Sequence, residues 1–268
     1  MRYRAPPRDA VLPEVFERPP LADWQAYRGL LAGSDWPTID ALNRRRPANV
    51  PWQFVAQTPA LLADGLHYEQ RIAERGEIAT RTGNWHDLFN AMVWLRHAAL
   101  KQALNARQMA EIVRMGPKLR SRAQYALTHF DEAGVLVTLT DPGLLEAWDR
   151  HDWFGLFWGR RDAWRDGSVR VEVFGHALLE HALTPEKLLV GKALVCVADA
   201  GEPAVASEAC RRAIADGHGL RDPLELRPLP LAGLPGWHAG NEVEAFHRST
   251  PCYQPLRAGR RYPLPLLA

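Results

Sequence analysis

The chain has 268 residues, of which 47% are hydrophobic and 24% charged. That balance excludes the weakly apolar, highly charged class of disordered chains and provides for one sizeable core. Its 33 Lys+Arg against 31 Asp+Glu leave a formal net charge of +2, too little for overall attraction to a polyanion, so nucleic acid is not an expected partner. No apolar run approaches the roughly 18 residues of a membrane helix, and the first residues, MRYRAPPRDAVLPEV, lack the apolar core of a secretory signal. Cys196, Cys210 and Cys252 have no C-x-x-C spacing, so neither a disulfide framework nor a zinc ribbon is expected, and a cytoplasmic setting fits.

Residues 1–20 carry Pro6, Pro7, Pro13, Pro19 and Pro20, too many for a regular element, and read as an extended arm. Asp23 to Leu31 and Pro37 to Arg46 read as two short peripheral helices. From Tyr68 to Arg81 the period changes to two around Arg75-Gly76, the pattern of a β-hairpin. A helical region follows over Trp85 to Arg114. YALTHFD and VLVTLT, flanking Glu132-Ala133-Gly134, read as a second hairpin; Asp131 and Glu132 could add carboxylates to a metal site, but in such a turn they are expected for turn geometry alone. The basic run Arg107, Arg114, Lys118, Arg120 and Arg122 has near-helical spacing and reads as a solvated helix face.

After Asp141-Pro142-Gly143 comes another helix, then an aromatic stretch in which Trp148, Trp153, Trp158 and Trp164 serve ordinary core packing. Val169 to Phe174 predicts a strand leading through Gly175 into a helix, and Lys192 to Val197 a strand followed by a helix near 205–216. This rhythm suggests a partly parallel sheet. The residues from about 218 onward are rich in proline and glycine and read as a coil wrap. Together these elements predict an α+β fold, a single globular domain over 21–268 with Pro-rich extensions at both ends.

Two helices carry the same edge chemistry. In NWHDLFNAMVWL, Asn84 is the expected N-cap, Trp85, Leu88, Phe89, Met92 and Leu95 form one stripe, and His86 and Asn90 project together at its edge with Asp87 beside them. In FGHALLEHAL, His176 and Glu180 stand in the same relation. An imidazole with a carboxylate or amide one turn away suits divalent-metal binding or proton sharing at neutral pH. The ordinary use of such residues is a satisfied boundary position, and an acidic residue like Asp87 in a first turn also complements the helix dipole. His151, Asp152 and His181 read as solvated. No G-x-S-x-G, G-x-G-x-x-G or G-x-x-x-x-G-K-[ST] occurs, which excludes the nucleophile elbow and phosphate-cradling loops as motif-based readings.

The segments YEQRIAERGEIATRTGNWHDLFNAMVWLR, ALNAR, ALTHFDEAGVLV, VFGHALLEHAL, GKAL and LAGLPGW with Asn241 after it are similar, in this order, to the bacterial family known as domain of unknown function 3025. The resemblance covers residues 20–257. It implies a shared polar set at Trp85, His86, Asp87, Asn90, Asn105, Asp131, Glu132, His176 and Glu180, and implies no activity. Where the family carries Phe-Pro after the WHDLFNA helix, this chain has Arg96-His97, so a helix that ran on would bring His97 onto the face of His86 and Asn90.

These observations lead to one functional expectation: a divalent-metal-dependent hydrolase of a small-molecule or phosphoester substrate. His86, Asp87 and His176 would hold the ion, Glu180 would activate water and Asn90 would orient the substrate. The alternative is a non-catalytic binding protein in which the same groups form a structural hydrogen-bond network.

Overall fold

The structure, a computed structural model, describes residues 3–116, 119–198 and 203–268. Along the chain run α1 (Arg28–Leu31), α2 (Ile39–Asn43), β1 (Gln53–Ala56), α3 (Pro59–Leu62), α4 (Tyr68–Arg75) and β2 (Glu77–Thr80). Next come α5 (Trp85–Arg96), α6 (Ala98–Met115), α7 (Arg122–Ala133), β3 (Gly134–Leu139), α8 (Leu144–Asp149) and α9 (Arg161–Arg165). The remainder is β4 (Val169–Val173), α10 (His176–His181), β5 (Val190–Val197), α11 (Pro203–Ala215), β6 (Arg227–Pro230), α12 (Glu244–Ser249) and β7 (Leu266–Leu267). The class is α+β, as the sequence suggests.

The main sheet has the order β4-β3-β5-β6, with β7 also on β5. β3 runs parallel to β5 and antiparallel to β4. Every residue of β3 is buried, because α7 and α11 both pack against the central strands. That burial explains why VLVTLT is an almost unbroken apolar run. The strand-helix-strand-helix unit of β4, α10, β5 and α11 stands where the sequence puts it, and the parallel pairing runs through β3.

Neither expected hairpin forms. Tyr68–Arg75 is helical with Ile72 and Arg71 turned inward, and Gly76, at φ 65°, is its left-handed C-cap rather than a hairpin turn. Its strand β2 pairs instead with the distant β1, in parallel. Arg122–Ala133 is also a helix, started by a capping box in which Ser121 and Gln124 satisfy each other's backbone N–H. Asp131 and Glu132 therefore lie in a last helical turn, not in a reversal. Of the basic run, Lys118 lies outside the described residues, while Arg107 and Arg114 both bond Glu111 and Arg122 pairs with Asp222.

The N-terminal arm contains two short 3-10 turns, Arg8–Ala10 and Pro13–Glu17, and it ties two helices together. Trp85 Nε1, at the start of α5, donates to Pro6 O at 3.0 Å, and the Tyr3 hydroxyl donates to Glu180 O of α10 at 3.1 Å.

One contact sets the relation of α7 to α10. The Gly134 carbonyl, just past α7, accepts from Phe174 N and Gly175 N at 3.0 and 2.8 Å. The backbones approach so closely that a Cβ on Gly175 would stand 2.5 Å from Ala133 Cα, well inside van der Waals contact. Gly175→Ala must push the two connections apart, and a loss of about 1–3 kcal/mol in urea unfolding is expected. A wild-type midpoint in that variant would show that the contact is loose.

Candidate metal centre

Three helix ends meet at one side of the sheet. Asn84 caps α5, its side chain accepting from Asp87 N at 3.0 Å, and so fixes the first turn that carries His86. Gly175 starts α10 and places His176, 4% exposed, against the last turn of α7. Helices α5 and α7 both pack on α10 there. The imidazoles of His86 and His176 come together with centroids 4.5 Å apart and planes at 73°.

Their Nε2 atoms face each other at 3.1 Å. His86 Nδ1 lies 3.0 Å from Glu180 Oε2, and since a carboxylate only accepts, this nitrogen carries the proton. The Nε2 of a neutral His86 is then a lone pair aimed at His176. On the far side of His176, Nδ1 stands 3.8 Å from Asp131 Oδ2, buried and without a hydrogen-bond partner. A proton placed there suits the carboxylate, and it leaves two lone pairs opposed across 3.1 Å. A cation between them, a proton or a metal ion, removes that repulsion, as does the other tautomer of His176, whose Nε2–H would donate to His86 Nε2. Two imidazoles on one divalent ion, with bonds of 2.0–2.1 Å at cis or tetrahedral angles, would hold their nitrogens about 2.9–3.4 Å apart.

Glu132 completes the group. Its Oε2 is 3.6 Å from His176 Nε2 and 4.0 Å from His86 Nε2, and the ligand atoms of all three residues lie within 4.8 Å of one another. The Glu180 bond holds His86 above the usual imidazole value, against the pull of burial, whereas burial pushes His176 down to about 3. His176 is therefore a neutral donor, the form that binds metal. Burial raises Glu132. Burial also lifts Asp131, but Lys101 and the histidines outweigh it and the net value is below normal.

These groups open onto a cleft of about 240 Å³. Lys101 Nζ, almost fully buried, contacts Asp131 Oδ1 at 2.6 Å and Asn90 Oδ1 at 2.9 Å. Asn90 Nδ2 in turn donates to the Tyr68 hydroxyl at 2.8 Å.

The residues expected from sequence are distributed as follows. His86, His176, Glu180 and Asn90 all reach this region. Glu180 sits behind His86, occupied by Nδ1, and Asn90 is tied to Lys101 and Tyr68. Asp87 turns away from the histidines: Arg81 holds it at 2.7 and 3.0 Å, with Arg81 N at 2.6 Å. His97 does not continue the helix. At φ −118° and ψ 40° it breaks α5 from α6 and packs between Trp24 and Phe174. His151 bonds Gln254 O and the Tyr262 hydroxyl, and His181 stacks on Tyr3, so both are half-buried packing residues. Lys101, Tyr68 and Glu69 go unrecognised in the sequence, whereas Asp131 and Glu132 belong to the polar set that the family resemblance implies but are locally read as a turn. The capping box at Ser121 and Gln124 is the signal that makes 122–133 helical and puts Asp131 and Glu132 on its final turn.

An α+β protein with a candidate His-His-Glu centre is what the fold and geometry define. A family model described as "Protein of unknown function (DUF3025)" matches residues 52–257, and the chain belongs to that family. No curated protein and no solved structure matches it.

The Lys101–Asp131 pair supports the cleft, and breaking it is costly. Lys101 is 4% exposed at its side chain, so Asp131→Ala leaves an ammonium in a dry site with only Asn90. A loss of about 3–5 kcal/mol is expected. The double variant Lys101→Met/Asp131→Leu, which removes both charges, should recover much of it. Chemical denaturation of the three proteins decides, and an unaffected single variant would mean water reaches the ammonium.

Proposed function

We propose that the chain is a divalent-metal-dependent hydrolase of a small polar ester, amide or phosphoester, with the ion held by His86 Nε2, His176 Nε2 and Glu132. The observation that carries the reading is the pair of Nε2 atoms facing each other at 3.1 Å with the other nitrogen of His86 engaged by Glu180. Glu132 takes the ligand position that the sequence expectation gives to Asp87, which is committed to Arg81. Three protein ligands leave positions for water and substrate, the pattern of catalytic rather than structural sites. A cleft of about 240 Å³ suits a small molecule.

Held by His86, His176 and Glu132, such an ion would polarise the substrate and acidify a bound water. Glu180 acts through His86, fixing the tautomer and raising the basicity of Nε2, while Asp131 faces His176 Nδ1 at 3.8 Å without a hydrogen bond. Asn90 and Lys101 form a fixed polar wall of the cleft. The Lys101 ammonium, anchored on Asp131, favours the negative charge that develops on the attacked group. We further propose a cytoplasmic setting, where the buried free thiols of Cys196, Cys210 and Cys252 stay reduced. No helix among the described residues is long and apolar enough to cross a membrane.

The reading is tested by metal analysis after purification with zinc, manganese or cobalt supplied. Stoichiometric metal is expected in the wild type and in Asp87→Asn, and its loss in His176→Ala and Glu132→Gln. Glu180→Gln should keep the site but weaken it by about 10–100-fold. A metal-free wild type, or unchanged binding in His176→Ala, would turn the group into the alternative, a protonated hydrogen-bond relay in a non-catalytic binding protein.

A further inference from the structure

Four carboxylates line the cleft: Glu69, Asp87, Asp131 and Glu132. Asp87 is paired with Arg81 at 2.7 Å and Asp131 with Lys101 at 2.6 Å, and Glu132 stands beside the two imidazoles. Glu69 is different. Among the described residues, no Lys, Arg or His nitrogen comes within salt-bridge distance of it; its Oε2 accepts only from the amide of Asn105, at 2.6 Å. Burial raises its pKa, and the Asn105 bond and the more distant charges of Lys101 and Arg120 offset only part of that. A first-turn acid complements a helix dipole from the surface, and that role does not require a carboxylate turned inward onto Asn105.

The position of Glu69 relative to the centre follows from α6. Lys101, Asn105 and Gln108 lie on successive turns of one face of that helix and all line the cleft. Lys101 marks the metal end through Asp131. At 1.5 Å rise per residue, Asn105 and the Glu69 carboxylate bonded to it lie about 6 Å farther along. Gln108 gives an N–H to Thr128 Oγ1 at 3.3 Å, which leaves its carbonyl oxygen to accept. Tyr68 and Trp94 supply aromatic wall.

We propose that this end of the cleft binds the cationic group, an ammonium or guanidinium, of a small substrate whose scissile bond lies at the metal centre, with Glu69 as its counter-ion. A desolvated carboxylate, amide oxygens and aromatic faces are the groups that replace the hydration of an organic cation. An anionic group at the same place would meet Glu69 uncompensated. The placing of the scissile bond rests on the hydrolase reading, whereas the cation subsite is a property of Glu69 and its neighbours alone.

The test is calorimetric titration with agmatine, 1,4-diaminobutane and glutarate, on chelator-treated and on zinc-loaded protein. Both cations should bind chelator-treated wild type, and glutarate should not. Glu69→Gln, which keeps the shape and a group for Asn105 to bond, should weaken agmatine by about tenfold or more. Glu69→Asp, which keeps the charge, should restore part of that loss and so separates charge from folding. Equal agmatine affinity in wild type and Glu69→Gln, or glutarate binding as tightly as agmatine, would overturn the subsite. Agmatine binding without any metal binding would overturn the hydrolase reading and leave the subsite standing; metal binding without agmatine binding would do the reverse.

Discussion

The Gly134 carbonyl takes two backbone N–H groups, from Phe174 and Gly175, and this contact decides where the chemistry can be. It is possible because position 175 has no Cβ, so the start of α10 can lie directly on the end of α7. The carboxylates of Asp131 and Glu132 and the imidazole of His176 are therefore held together by main chain, not by their own weak contacts. Side chains brought together this way can face one another with polar atoms incompletely paired, as His176 Nδ1 is. Left to itself, such a pairing would relax; the backbone contact prevents it.

Helix α5 joins this unit from the other side. Its first turn is fixed by the Asn84 cap and by the arm, whose Pro6 carbonyl takes the Trp85 indole while Tyr3 bonds the backbone of α10. The arm thus bridges the two histidine-bearing helices, although it lies outside the residues that match the family. Charge in the cleft is organised by the same economy of partners. Arg81 neutralises Asp87 and Lys101 neutralises Asp131, because an unpaired ion in a half-dry site is expensive. What remains uncompensated, Glu132 with the facing imidazoles and Glu69 beyond them, marks the two places where an external cation would be stabilised.

Much of the site is legible in the sequence because helical period is a local property. His86 with Asn90, and His176 with Glu180, fall at the edge of an apolar stripe whatever the rest of the chain does. The strand β3, buried on both faces, is equally plain as an apolar run. The hairpins fail for a related reason: short segments such as YEQRIAE satisfy period two and period 3.6 at once, and Gly76 serves a helix C-cap as well as it serves a turn. Asp87 looks as good a ligand as any acid next to His86, and its commitment to Arg81, only six positions back, depends on how the connection between β2 and α5 turns, which no periodicity shows.

By itself, then, the sequence determines the elements whose signals are local and redundant: the two histidine helices, the strands β3, β4 and β5, the α+β class and the absence of a long apolar helix. Tertiary structure alone decides which edges meet. It turns Glu132 toward the histidines and Asp87 away from them, breaks the helix at His97, and brings Lys101, Asn105 and Glu69 into one cleft. The physical reason is range: a side chain's period and cap are set by neighbours within a turn or two, whereas the partners of Glu69, His86 and His176 come from segments some 40 to 90 positions away, selected by packing and backbone hydrogen bonds that no local pattern encodes.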